Sequence, residues 1–399
     1  MVVTANYRVG VLGFFNLPQL KTGVSANDAS GNFAILDNIQ ALKFINQNIT
    51  GFGGDAANVT VMGQSAGAIN AWALITSPLT AGLFHKAIPL SGGISLATNL
   101  PPGNIPTLNP PATYLNQGNQ LLWNLLIADG KAADLASAQA YAATQTDAQI
   151  ADYLRTKDAG TILTTGLTKG LTGSGPIPEG TVVSPDPIAA IAAGNYRKVP
   201  ILAGNTADEG KLFAPFLTLL GGPAGMIVSD ATRFTMIQTY NPDAAPTLTD
   251  ADILNAAYLP VATPTTGYNA KTALLASVFT TASRVNVLNT LKGQQSNVWF
   301  YKFNWANEPA PWNDVYGAAH AFDLPFLFGN FGPSLFSNAV NGSANKPGRL
   351  ALSAAMMGTI SAFMRNGDPN NAALGVTWGP WPAALNFDAS LTQAQISVQ

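Results

Sequence analysis

Ser65, His320 and the acidic pair Asp208 and Glu209 are the residues whose types and spacing could act together chemically. Ser65 sits in Gly63-Gln64-Ser65-Ala66-Gly67. Before it comes the apolar, partly β-branched run Val59-Thr60-Val61-Met62, and after it Ala, Ile, Trp and Leu recur at helical spacing over residues 68–75. A strand that turns into a helix over one serine is a nucleophile elbow. The flanking glycines give room for a turn tight enough to lift Ser65 Oγ clear of the sheet. The Ala66 N–H then lies at a helix N-terminus, where it can donate to a developing oxyanion.

A serine nucleophile needs a base, and the chain has only two histidines, His85 and His320. His85, in Leu83-Phe84-His85-Lys86, follows the serine closely and is expected to be a helix-surface residue. His320 lies in a loop beyond a long strand-like run. That leaves a strand and its turn between Ser65 and His320 to supply an acid, in the chain order serine, acid, histidine. Ile201-Leu-Ala-Gly-Asn-Thr-Ala-Asp-Glu-Gly210 offers Asp208 and Glu209 just past a strand end, where open sheets gather their sites. Residue chemistry alone does not separate them, since either carboxylate could orient an imidazole.

The elements that must position these groups follow from periodicity. Residues 2–7 and 9–15 are apolar and β-rich around Arg8. Residues 32–49 carry Phe33, Ile35, Leu36, Ile39, Leu42, Ile45 and Ile49 at helical spacing. Strands are expected at 59–62, 87–91, 199–203 and 297–305, and a helix at 350–364. Helices are expected over 115–126 and 132–154. Residues 94–197 and 211–295 read as helical insertions in one α/β domain covering 1–399. Strands alternating with helices and such excursions imply a mostly parallel sheet.

Composition narrows the function. The chain has 399 residues, 47% hydrophobic, with 38 Gly and 27 Pro. Only 10% are charged, net −2, against about 25% in an average domain. Neither sign runs in blocks, so no nucleic-acid partner is expected. No apolar run reaches the about 18 residues of a transmembrane helix. With no cysteine and two histidines, thiol chemistry, disulfides and cysteine or three-histidine zinc sites are excluded. Low charge with much Ala, Thr, Asn and Gln suits a secreted or periplasmic protein.

Several stretches together resemble the type-B carboxylesterase family, which also holds cholinesterases and certain lipases. They are Val3-Thr-Ala-Asn-Tyr-Arg-Val-Gly-Val-Leu-Gly-Phe14, Phe52-Gly-Gly-Asp-Ala-Ala-Asn-Val-Thr-Val-Met-Gly-Gln-Ser-Ala-Gly67 and Leu83-Phe-His-Lys-Ala-Ile88, then Asp208-Glu-Gly210 and His320-Ala-Phe-Asp-Leu-Pro-Phe-Leu-Phe-Gly329. The resemblance implies an α/β-hydrolase fold that hydrolyses carboxylic esters without metal or cofactor. It implies Ser65 as nucleophile, Glu209 as acid and His320 as base, with Ser91 supporting the acid. Gln64 stands where the family commonly has a glutamate, which argues against a cationic, choline-like substrate. The insertions would wall an apolar gorge, with Phe213, Phe216, Trp305 and Trp312 as lining candidates.

The resemblance also implies about a hundred further residues ahead of Val2, including a strand ending in a His-Gly-Gly oxyanion turn. That strand would lie between those matching residues 2–7 and 59–62. No such turn occurs in this sequence, so the N-terminal strands are expected to be missing. The two neighbours would then show unpaired edges or repack against each other. The chain would be either a fragment or a short protein with a rearranged sheet, and only the Ala66 N–H would remain of its oxyanion hole. A small-molecule carboxylic ester is the expected partner. The rival readings are a truncated, weakly active or silent binding module and a lipase preferring long-chain esters.

Overall fold

The computed structural model describes residues 1–171 and 175–399, so residues 172–174 of the expected first insertion lie outside the described residues. The apolar runs at 59–62, 87–91, 199–203 and 297–305 supply four strands of a six-stranded sheet among the described residues: β1 (Thr60–Gln64), β2 (Lys86–Leu90), β3 (Ile201–Thr206), β4 (Val298–Phe303), β5 (Ala384–Ala389) and β6 (Ala394–Val398). The strands lie in chain order. Neighbours are parallel from β1 through β5, and β6 closes the far edge antiparallel.

Every residue of β2 and β3 is buried, as in a parallel sheet covered on both faces. Alternation along β4 builds two cores. Trp299, Tyr301 and Phe303 join Trp305, Trp312, Tyr316, Phe326 and Phe363 on one face. Val298 and Phe300 join Ile35, Ile39, Trp72 and Leu288 on the other.

Helices Phe33–Asn48, Ala66–Thr76, Pro111–Ala128 and Lys346–Asn366 form where the periodicity predicts them. The single helix expected over 132–154 is instead two, Leu135–Ala143 and Asp147–Arg155. Thr146 breaks it by accepting the Gln149 N–H in a reciprocal capping box that starts a new helix. Strands β5 and β6 are not among the expected strands; both are short and partly polar. Among the described residues, no helix is long and apolar enough to cross a membrane.

The N-terminal expectation needs correction. Residues 1–9 form no strand, and Gly10–Gly13 is one helical turn. A strand exists only with a ladder partner, and none pairs with these residues among the described residues. Instead, Arg8 is tied to Asp37 by its backbone N–H and by two guanidinium bonds of 2.7–2.8 Å. A groove of about 560 Å³ separates Met1, Val3, Thr4, Ala5 and Tyr7 from Thr60, Val61 and Met62 of β1. The two segments do not repack against each other. The outer edge of β1 stays open, and all five of its residues are only half-buried.

Candidate active site

Strand β1 ends at Gln64 and the next helix starts at Ala66, leaving Ser65 alone at the turn with φ 59° and ψ −119°. A serine holds this left-handed geometry only under constraint. Its own N–H donates to Leu90 O on β2 at 2.9 Å. The two elbow glycines do different jobs. A Cβ on Gly63 would sit 2.1 Å from Gly67 O, whereas one on Gly67 would meet open space. Gly92, which the motif does not contain, is also required, because its Cβ would lie 2.9 Å from Ser65 O. Ala66 is exposed, with its N–H at the helix start.

Glu209 follows β3 and is 2% exposed. Its Oε1 accepts from Ser91 Oγ at 2.7 Å, Asn205 Nδ2 at 2.8 Å and Thr206 N–H at 2.9 Å. Its Oε2 meets His320 Nδ1. Burial pushes this carboxyl up, but the hydrogen bonds from His320, Ser91 and Thr206 outweigh it and hold Glu209 below its ordinary value. A carboxylate can only accept, so Nδ1 carries the proton and Nε2 of the neutral ring keeps the lone pair.

Asp208 does something else. Its carboxylate accepts the Ala318 N–H at 3.1 Å, and its own N–H donates to Ala318 O at 2.9 Å, pinning the loop that carries His320. Of the two acids left open by residue chemistry, the structure brings Glu209 to the imidazole.

The His320 loop is held from below as well. Ala321 takes φ 69°, and Asp323, fully buried, accepts from Tyr301 Oη at 2.7 Å. Burial pushes the Asp323 carboxyl up to about 6, against the Tyr301 bond that lowers it. Tyr301 reaches Asp323 by crossing Gly204, where a Cβ would sit 2.2 Å from the phenol ring.

His320 Nε2 lies 3.0 Å from Gln64 Nε2, while Ser65 Oγ has no hydrogen-bond partner among the described residues. Of the lining candidates, Phe213 packs beside His320 with ring centroids 4.9 Å apart. Phe216 is instead 56% exposed, on a 3-10 turn that carries it outward. Trp305 and Trp312 are fully buried in the core, packed on Phe326 and Tyr316, and are not part of the lining of the cavity beside His320. This cavity, of about 130 Å³, is lined by Leu212, Phe322, Asn330, Phe331, Phe336 and Val340. Leu212 follows the acid turn, Phe322 lies in the His320 motif itself, and Phe331, Phe336 and Val340 follow beyond that motif. His85 is not on a helix. Its Nδ1 accepts the Val59 N–H at 3.1 Å just before β2.

A mostly parallel sheet with a serine elbow after a strand, an acid after a later strand and a histidine after the next defines a hydrolase-type α/β protein. The model of the carboxylesterase family matches residues 1–395, and the chain belongs to that family. It is 29% identical over 345 residues to the para-nitrobenzyl esterase of Bacillus subtilis (strain 168), covering 83% of this chain and 57% of that protein. It is 28% identical over 394 residues to the fumonisin B1 esterase of Sphingopyxis macrogoltabida, covering 96% and 61%. The Geobacillus stearothermophilus carboxylesterase EST55 superposes with a TM-score of 0.67 at 26% identity, over 99% of this chain and 72% of that one. The fold is therefore the α/β-hydrolase fold. The chain spans about three-fifths of the length of the curated relatives it matches.

Proposed function

We propose that this chain hydrolyses small carboxylic esters through a seryl acyl-enzyme. Ser65 Oγ attacks the ester carbonyl carbon while its proton passes to His320 Nε2, and the Ala66 N–H donates to the oxyanion. Collapse breaks the carbon–oxygen ester bond, and the alcohol leaves with the proton from His320. Water then repeats the sequence on the acyl-enzyme and frees the acid. Glu209 fixes the imidazole and stabilises its cation, while Ser91 holds Glu209. The observation that carries this reading is the buried relay from Ser91, Asn205 and Thr206 through Glu209 to His320 Nδ1, which leaves Nε2 as acceptor at the elbow.

The cavity beside His320 argues for the substrate class. At about 130 Å³ with a mainly aromatic and aliphatic lining, it suits one ring or a short alkyl chain. Short to medium apolar esters fit it, and long emulsified chains do not. Of the two helical insertions, 211–295 supplies Leu212 to this cavity and Phe213 beside His320.

A p-nitrophenyl ester series from acetate to palmitate tests this. The expected result is hydrolysis of the short esters, lost in Ser65→Ala. Equal, slow nitrophenol release by wild type and Ser65→Ala would overturn the reading.

A further inference from the structure

On the assignment of Ser65 and His320 above, on which this inference rests, His320 Nε2 must be able to accept the Ser65 proton. His320 Nε2 has one lone pair and therefore one strong hydrogen bond to accept. Glu209 accepts the hydrogen bond from the Nδ1–H, so the Nε2 lone pair is the position from which Ser65 must be deprotonated. It is already engaged: Gln64 Nε2 stands 3.0 Å away. The amide end facing the ring is the donor, because the carbonyl end would set two lone pairs against each other. Ser65 Oγ, one residue on, has no partner among the described residues.

We propose that Gln64 is a built-in blocker of the base, so that Ser65 becomes a nucleophile only after the Gln64 amide swings off His320 Nε2. The two competitors are unequal in mobility. Ser65 is locked by its backbone, with φ 59° and Gly63 and Gly92 packed against the turn. Gln64 ends the open edge strand β1, is half-buried, and swings on three side-chain torsions. A substrate seated against the elbow displaces the amide and releases the lone pair in the same movement, so the base stays capped while the site is empty. The side chain that sequence reasoning valued for its missing charge thus acts through its donor.

The chain's histidine content makes a direct test possible. With only His85 and His320, protein labelled with nitrogen-15 histidine shows two imidazoles, and His85, bonded to the Val59 N–H, is the internal reference. Gln64→Leu removes the donor, and Gln64→Asn shortens it out of reach while keeping its polarity. In both variants the His320 Nε2 resonance is expected to move while those of His85 stay. The rate of Ser65 phosphonylation by a fluorophosphonate is expected to rise about fivefold, the effect of one ordinary net hydrogen bond. Should Gln64→Leu fail to fold, Gln64→Asn carries the comparison. An unmoved His320 resonance, or phosphonylation unchanged or slowed in the folded variant, overturns the blocker. If wild type does not react with the fluorophosphonate at all, the hydrolase reading fails, while the resonance shift still decides whether Gln64 holds the ring.

Discussion

Replacing Glu209 by glutamine tests the site with almost no change of shape. Oε1 faces three donors, of which Asn205 Nδ2 and the Thr206 N–H can never accept, and Oε2 faces His320 Nδ1. Glutamine brings one carbonyl oxygen and one NH₂. Turned so that its NH₂ meets the three donors, it leaves buried groups unpaired at about 1–3 kcal/mol each. The favoured orientation therefore keeps the oxygen with the donors and aims NH₂ at the imidazole. The ring answers by moving its proton to Nε2, so that Nδ1 accepts and the lone pair facing the elbow is gone. A base held in the wrong tautomer elsewhere costs on the order of 10⁴ in kcat, or about 5 kcal/mol of transition-state stabilisation. Steady-state hydrolysis of p-nitrophenyl acetate, with thermal melts to confirm folding, measures this. A folded Glu209→Gln enzyme retaining more than about a tenth of the wild-type kcat would refute the reasoning.

Three further outcomes follow from the same geometry. Asp323 keeps its proton to about 6 when folded but only to 3.8 when unfolded, so wild-type stability should fall as pH rises across that window. The loss is ~3 kcal/mol, and Asp323→Asn should flatten it; equal slopes in denaturant titrations would contradict the placement. Gly63→Ala should destabilise by at least about 2 kcal/mol and abolish fluorophosphonate labelling, whereas Gly67→Ala, facing open space, should melt like wild type. Because the Ser65 N–H points to β2, alternation turns the Met62 and Gln64 N–H groups toward the groove. Amide exchange at those two should run near the rate of unstructured peptide, with Ile88 and Leu90 of β2 protected.

Where local pattern decides structure, the sequence was readable. Val59 to Met62, the heptad-like spacing of 32–49 and the run at 297–305 each carry their own period, and each became the expected element. Residues 2–7 have equal β character, yet a strand is a property of two segments, and no described residues pair with them. The site divides the same way. Ser65, His320 and the acid turn are marked by residue type and chain order. Asn205 and Thr206 escaped notice although they lie only four and three residues before Glu209, and their signal was that a buried carboxylate at a strand end needs donors from its own turn. The cavity lining joins Leu212, from the turn after Glu209, to Phe322, Phe331, Phe336 and Val340 beyond His320, and their irregular spacing carries no period that announces it. Trp305 and Trp312 illustrate the converse, since large aromatics near a site in sequence are as readily its foundation as its wall.

The central claim is that Ser65 is acylated and then released. Intact-mass measurement after brief exposure to p-nitrophenyl acetate, followed by peptide mapping, reads it directly. The account predicts one acyl group on Ser65 that decays with time and is absent from Ser65→Ala. A chain that hydrolyses the ester with no acyl group on Ser65, or with the group on another residue, would contradict it.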